Sequence, residues 1–352
     1  MMTLHNEPLR AAVIGYGLAG AVFHAPLIAA TPGMQVAAVV TSNTERQQMA
    51  RKHYPAAAIF VSTDELWNNS AHYDLAVIAT PNKSHVQLGL IALKLGLPVV
   101  IDKPIATSVA DAERLLTMSE QTGKLLTVFQ NCRWDGYFMT VRKLIEADML
   151  GTITRYEAHY ERYRPTPLSG AWRELADPSE AGGQLYDLGS HLIDQCIQLF
   201  GKPIRVYAEL NRRRPNAQVD DDTFVALEFA NGVNAHLYIS MVARIPSQRV
   251  RVLGLRGTYE KWGADPQKEE LIAGMRPGEV GWGIESREHW GRLSTEINNL
   301  HFDGQIETLP GAYDQYYVLL RDALIQGSPP PVDPRSSIEV LRVIEDAKQS
   351  TK

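Results

Sequence analysis

The sequence predicts an α/β protein with two domains: a doubly wound parallel sheet over residues 1–130, then an α/β domain with a mostly antiparallel sheet over residues 131–352. Three observations carry this. Short apolar runs alternate with helix-like stretches through the first 130 residues. A glycine-rich turn follows the first run directly. After Asn131 the apolar pattern changes to a period of two.

The apolar runs are Leu9 to Ile14, Met34 to Thr41, Ile59 to Val61, Leu75 to Ala79, Pro98 to Ile101 and Leu125 to Phe129. Near-continuous apolar runs mark strands buried on both faces, and their alternation with helices implies parallel pairing. Ser84 to Leu95 and Val109 to Thr122 read as amphipathic helices. Ser108 with Asp111 marks the start of the second, and Gly123 its stop. Beyond Asn131 one helix is expected over Tyr137 to Leu150, ended by Gly151. Strands follow at 155–161, 204–210, 223–229, 233–241, 249–254 and 258–262, with Ala230-Asn231-Gly232 as a hairpin turn. Helices near Tyr313 to Gln326 and Ser336 to Gln349 close the chain.

Composition narrows the function classes. With 35 Lys plus Arg against 40 Asp plus Glu, the net charge of −5 offers no basic footprint for nucleic acid or an acidic membrane surface. No apolar stretch is long enough to span a bilayer. Two cysteines, Cys132 and Cys196, are too few for a disulfide scaffold and fit no zinc-ligand spacing. Met1 to Pro8 carries no secretory signal pattern, so a cytoplasmic protein is expected. His159 and Glu161 lack a clear third ligand, so no metal is expected.

The first strand runs into Gly15-Tyr16-Gly17-Leu18-Ala19-Gly20, followed by a helix. In that context Gly15 makes the tight turn, Gly17 admits a pyrophosphate to the backbone, and Gly20 lets helix and strand approach. Leu18 and Ala19 stand where helix N–H groups meet the phosphates. At the end of the second strand stand Thr41, Ser42 and Asn43, with Arg46 one helical turn on and no carboxylate at the strand end itself. That set favours NADP over NAD, although Glu45 is near enough to rotate toward a ribose. Thr80, Pro81, Asn82 and His85 follow the fourth strand at the sheet's carboxyl edge, where ligands bind. Each of them also reads as an ordinary loop or capping residue.

Two further groups carry candidate chemistry. Lys103-Pro104 ends a strand of apolar residues. Lys103 can donate to a reacting oxygen, or be a loop lysine at an exposed strand end. Asp187 and His191 are four apart, so a helix puts both on one face. They read either as a proton carrier with its partner or as a helix-start Asp and a structural His.

At these residues the chain resembles the Gfo/Idh/MocA oxidoreductase family. The likeness runs through the Gly15 to Gly20 turn, Ala79-Thr80-Pro81, Lys103-Pro104 and the stretch from Gly183 to His191. It implies a Rossmann domain joined to a C-terminal α/β domain with a large open sheet. It also implies a reaction centre of Lys103, Asp187 and His191. Asp102 stands where the family has Glu. A narrower likeness, to the family's NADP-dependent scyllo-inositol dehydrogenases, rests on several segments. They are Gly17 to Gly20, Phe23-His24-Ala25-Pro26, Thr41-Ser42, 131–135, 160–165, Trp172-Arg173 and 185–191. Cys132 stands where arginine is expected in that group.

The resemblance implies hydride transfer between NADP(H) and a hydroxyl-bearing carbon of a cyclic polyol, with self-association into a dimer or tetramer. His191 takes the hydroxyl proton, Lys103 holds the reacting oxygen, and Asp187 orients His191 or binds a neighbouring hydroxyl. Asn131, Trp134, Tyr163, Arg164, Trp172 and Arg173 are candidate substrate contacts, since aromatic faces meet the C–H faces of a ring and Arg and Asn bond its hydroxyls. Dehydrogenation of an aldose or dihydrodiol is the alternative within the family, and an NADP(H)-binding sensor without turnover is the alternative outside it.

Overall fold

β1 (Leu9–Ile14) lies at the centre of a six-stranded sheet whose order is β3-β2-β1-β4-β5-β6. Its partners are β2 (Met34–Val40), β3 (Ala58–Phe60), β4 (Leu75–Ile78), β5 (Val99–Asp102) and β6 (Leu126–Phe129). Every pair in this sheet is parallel. A computed structural model of the chain describes residues 7–168 and 170–350, so most of the Met1 to Pro8 stretch lies outside the described residues.

The chain divides into two units. The first comprises Met1–Asn131, Gln267–Trp282 and Ala312–Ile338; the second comprises Cys132–Pro266, Gly283–Gly311 and Glu339–Lys352. In the first, the central strands are buried on both faces, as their apolar composition demands, while the edge strand β3 is half-buried; Ala11 to Val13 and Leu75 to Ile78 are fully inaccessible. The chain winds one way from β1 through β2 to β3 and the other way from β4 through β5 to β6. Strand order therefore reverses between β1 and β4. Ser108 starts the helix Val109–Thr122 by accepting the Asp111 N–H through Oγ, and Gly123 ends it in the left-handed region. The helix Asp314–Gln326 belongs to this unit and buries Tyr316 and Tyr317 beside Phe129, with the Tyr316 ring edge-on at 4.9 Å.

The second unit holds an eight-stranded sheet of order β14-β13-β12-β11-β7-β10-β9-β8. The strands are β7 (Ile153–Glu161), β8 (Pro203–Asn211), β9 (Asp222–Phe229), β10 (Asn234–Ser240), β11 (Val250–Gly254), β12 (Gly257–Lys261), β13 (Gly291–Ile297) and β14 (Leu300–Ile306). β7 and β10 pair in parallel and the remaining pairs are antiparallel. Leu237, Val225, Ala158 and Val252 line one buried face, against which the helices pack. The opposite face carries an aromatic row in which His159 stacks on Tyr238 at 4.6 Å and Tyr238 meets Phe224 at 5.0 Å.

Two expectations change. The helix expected to reach Leu150 spans only Gly136–Glu146, because Asp148 adopts φ 52° and reverses the chain before Gly151. The hairpin of β13 and β14 was not anticipated. Its strands carry polar residues on both faces, and its turn is built from Asn298 and Asn299 at φ 50° and 63°. Among the described residues, no helix is long and apolar enough to cross a membrane.

Gly20 is a packing constraint in the first unit, since a Cβ there would sit 2.0 Å from the Gly15 carbonyl oxygen. Gly20→Ala is expected to destabilise the protein by about 1–3 kcal/mol. The check is a lower denaturant midpoint with an unchanged slope.

Candidate active site

The nucleotide half is built where β1 ends. Gly15 has φ 93°, and a Cβ on it would lie 2.4 Å from the Ala79 carbonyl oxygen, so the turn closes directly onto the end of β4. The chain then enters a helix at Ala19–His24 that is wound more widely than an α-helix, the Ala25 N–H donating to the Gly20 carbonyl, and continues as Ala25–Ala30. Leu18 and Ala19 open this helix, with Leu18 54% exposed. The space beside Gly17 is open except for Arg46, whose Nη1 lies 3.7 Å from the position a Cβ would take.

At the end of β2, Thr41 is buried while Ser42, Asn43 and Arg46 are exposed. The Asn43 side chain accepts the Arg46 N–H at 2.9 Å, so its oxygen caps the helix Thr44–His53. The Asn43 N–H in turn donates to Thr41 Oγ1 at 3.4 Å. Two hydroxyls, a guanidinium 3.7 Å from where a Gly17 Cβ would sit and a turn of otherwise bare backbone fit the phosphates of a dinucleotide.

The neighbouring strand ends are tied together. Thr80 Oγ1 accepts the Ser84 hydroxyl at 2.7 Å, and Asn82 is buried. His85, expected near the cofactor, is only 1% exposed. Its ring bridges the Pro104 carbonyl (Nδ1, 2.9 Å) and the Thr80 carbonyl (Nε2, 2.9 Å), so it braces the loops after β4 and β5. Lys103 follows β5, part-buried, with a cis bond to Pro104. Its N–H donates to Asp102 Oδ1 at 2.9 Å. Behind Asp102 lies His24, fully buried, with Nδ1 2.6 Å from the Tyr317 hydroxyl and Nε2 4.0 Å from Asp102 Oδ1. Burial lowers the His24 pKa to about 4, against the opposing pull of Asp102.

The second unit presents Asp187 and His191. Asp187 lies in a widely wound turn, Leu185–Gly189, that leads into the α-helix Ser190–Phe200, so the regular α-helical spacing expected for the pair is interrupted. The start of this helix is held from outside. Asp220 accepts the Leu185 N–H and the Thr223 hydroxyl, both at 2.8 Å. A Cβ on Gly183, at φ 102°, would sit 2.0 Å from Asp220 Oδ1. Burial pushes the Asp220 carboxyl up, although its donors oppose this.

Arg173 donates through Nε to Asp187 Oδ2 at 3.1 Å, so this expected substrate contact also steadies Asp187. His191 is 7% exposed. Trp134 and Trp172 are part-exposed, and the Arg173 guanidinium lies over the Trp172 ring at 5.2 Å. Tyr163 accepts from Arg244 through its hydroxyl at 2.8 Å and lies under that guanidinium at 4.0 Å, while the Arg164 side chain is exposed. Asn131, the last residue assigned to the first unit, is part-buried.

The sequence reading missed Asp220, Tyr317 and the buried bidentate pair of Arg133 with Asp194, at 2.8 and 2.6 Å. His24 lies in the Phe23 to Pro26 segment, where the local sequence gives it no partner and so no role. Both cysteines are free thiols, and burial pushes the Cys196 thiol up.

Comparison with known proteins agrees with these two halves. Residues 9–130 match the description "Oxidoreductase family, NAD-binding Rossmann fold" of the Gfo/Idh/MocA group, and residues 142–352 match its C-terminal alpha/beta domain. The chain is 37% identical to the uncharacterized oxidoreductase YdgJ of Escherichia coli, over 99% of this chain and 97% of that one. It is 33% identical to the scyllo-inositol 2-dehydrogenase (NADP(+)) IolW of Bacillus subtilis, over 98% of this chain and 94% of that one. The solved structure of yvaA from Bacillus subtilis superposes with a TM-score of 0.92 at 32% identity, over 98% of this chain and 96% of that one.

The His24 environment sets a pH dependence. Folding depresses its pKa from 6.5 to about 4, so the unfolded chain binds more protons between those values. Stability is unaffected above pH 6.5 and falls as the pH drops toward 4, the loss reaching about 3 kcal/mol at the acid limit. Chemical denaturation across this range is expected to show a shallower pH slope in His24→Gln than in the wild type.

Proposed function

The chain belongs to the Gfo/Idh/MocA oxidoreductase family and is a dehydrogenase with a nicotinamide-dinucleotide-binding domain; on that premise we propose that it uses NADP(H) to interconvert a hydroxyl and a keto carbon of a cyclic polyol, scyllo-inositol foremost. The observation that carries the proposal is the donor set at the nucleotide turn. Thr41 and Ser42 close β2 without a carboxylate, and Arg46 lies over Gly17, which suits a 2′-phosphate better than a bare ribose diol. The polyol rests on the likeness to the Bacillus subtilis enzyme named for scyllo-inositol and NADP(+).

When the dinucleotide is bound, its nicotinamide would supply the hydride acceptor. The residues of this chain do the rest. Gly15, Gly17, Leu18 and Ala19 bring backbone to the pyrophosphate, and Thr41, Ser42, Asn43 and Arg46 hold the adenosine end. Thr80, Pro81 and Asn82 shape the edge of the site, and His85 braces it. Lys103 donates to the reacting oxygen and stabilises charge that develops there. His191 takes the hydroxyl proton in the oxidation direction and returns it in reduction. Asp187, paired with Arg173, orients His191 or binds the adjacent hydroxyl. Asn131, Trp134, Tyr163, Arg164 and Trp172 contact the ring. The half-exposed aromatic face of the second unit's sheet is the surface for self-association into a dimer or tetramer.

Two measurements test this. Parallel assays with NADP⁺ and NAD⁺ across stereoisomeric inositols, aldoses and diols are expected to show the highest kcat/KM for scyllo-inositol with NADP⁺. NADPH binding without turnover on any of them would leave a sensor instead. Lys103→Met is expected to lower kcat by about 10²–10³ or more, while NADPH affinity by fluorescence titration stays within a small factor of wild type.

A further inference from the structure

Two buried histidines flank the Asp102-Lys103-Pro104 segment. His85 grips the Pro104 carbonyl, and His24 faces the Asp102 carboxylate. His24 is inaccessible to solvent and touches groups from three other elements: Tyr317 on the helix Asp314–Gln326, Phe129 on β6 with ring centroids 4.4 Å apart, and Asp102 on β5; His85 acts on it only as a more distant charge. Its Nε2 is buried without a hydrogen-bond partner, and Asp102 Oδ1 stands 4.0 Å in front of it.

The partners select one tautomer. If Nδ1 carried the proton, it would donate to the Tyr317 oxygen, and a lone pair on Nε2 would face a carboxylate. With the proton on Nε2, the Tyr317 hydroxyl donates to Nδ1 and an N–H faces Asp102, so both ends are attractive. Asp102 Oδ1 already accepts the Lys103 N–H. A shift of about 1 Å brings Nε2–H within hydrogen-bond range of the same carboxylate, and such contacts commonly tighten when a site fills.

We propose that His24 is a positioning residue for Lys103. As a neutral ring with its proton on Nε2, and with Nδ1 fixed by Tyr317, it holds the Asp102 carboxylate that anchors the Lys103 backbone. The inference rests on Lys103 being the donor to the reacting oxygen. It assigns Asp102 a work that does not need the longer reach of Glu: it is a joint between a buried imidazole and the lysine peptide.

The test has two arms, one of which needs no substrate. In ¹⁵N-labelled wild-type protein, the signal that vanishes in His24→Gln belongs to His24. The proposal expects the neutral Nε2–H pattern down to pH 5, with the Nε2 shift moved by Asp102→Asn. An Nδ1–H pattern, or an imidazolium at pH 6, would overturn it. In kinetics, His24→Leu is expected to lose about 10- to 100-fold in kcat with nucleotide affinity and substrate KM near wild type. His24→Gln, whose amide N–H replaces Nε2–H, should recover most of that loss. Equal kcat in wild type and His24→Leu, or equal loss in Leu and Gln, would overturn the proposal. Should His24→Leu fail to fold, Tyr317→Phe removes a single oxygen; it is expected to lower kcat and release the tautomer, and a wild-type kcat with an unchanged tautomer would count against the proposal. If wild type turns over no polyol, the functional reading fails while the nitrogen spectra still decide the His24 geometry.

Discussion

The close approach of Gly15 to the Ala79 carbonyl is the constraint from which the nucleotide half follows. At the point where strand order reverses, β1 and β4 lie side by side but feed helices to different regions, so their carboxyl ends open a crevice. Only a residue without a Cβ can turn there, since the Cβ position lies 2.4 Å from that oxygen. Because the turn is so tight, the backbone at Gly17 is left bare, and Arg46 can lie beside it. The same sheet edge carries Thr80 and, one strand further, Lys103. Chemistry at this edge is thus a consequence of parallel pairing: every strand delivers its last residue to the same side.

In the second unit the corresponding constraint is a helix start held from another segment. Asp220 reaches across to the Leu185 N–H and fills the space that a side chain at Gly183 would need. This fixes the wide turn that carries Asp187, and through it the helix that carries His191. The buried carboxylate is tolerated because two donors face it, whereas an unpaired charge there would be strongly destabilising. Arg173 then settles Asp187 from the adjoining loop, with its own carbonyl accepting the Gly183 N–H.

Much of this was legible in the sequence, and the reasons are physical. The central strands of the first sheet announce themselves because burial on both faces demands unbroken apolar runs. β7 to β12 show alternation because one face of their sheet is apolar and buried while the other mixes polar side chains with a half-exposed aromatic row. β13 and β14 hide because little of the outer hairpin is buried, and Leu300 and Phe302 are themselves exposed, so neither pattern forms. Gly15, Lys103, Asp187 and His191 stand out as local motifs. His24 does not, since its meaning comes from Tyr317, 293 positions away, and Asp220 acts on a residue 35 positions back. Local signals reveal the groups we propose to react, whereas the groups that hold them in place appear only once distant segments have packed.

The most direct test of the account follows the hydrogen itself. scyllo-Inositol deuterated at its ring carbons, incubated with the enzyme and NADP⁺, is expected to yield reduced nicotinamide carrying one deuterium at C4, read by mass and proton spectra. Reduced nucleotide without deuterium, or label released only to solvent, would contradict direct hydride transfer from a polyol carbon and with it the roles given to Lys103 and His191.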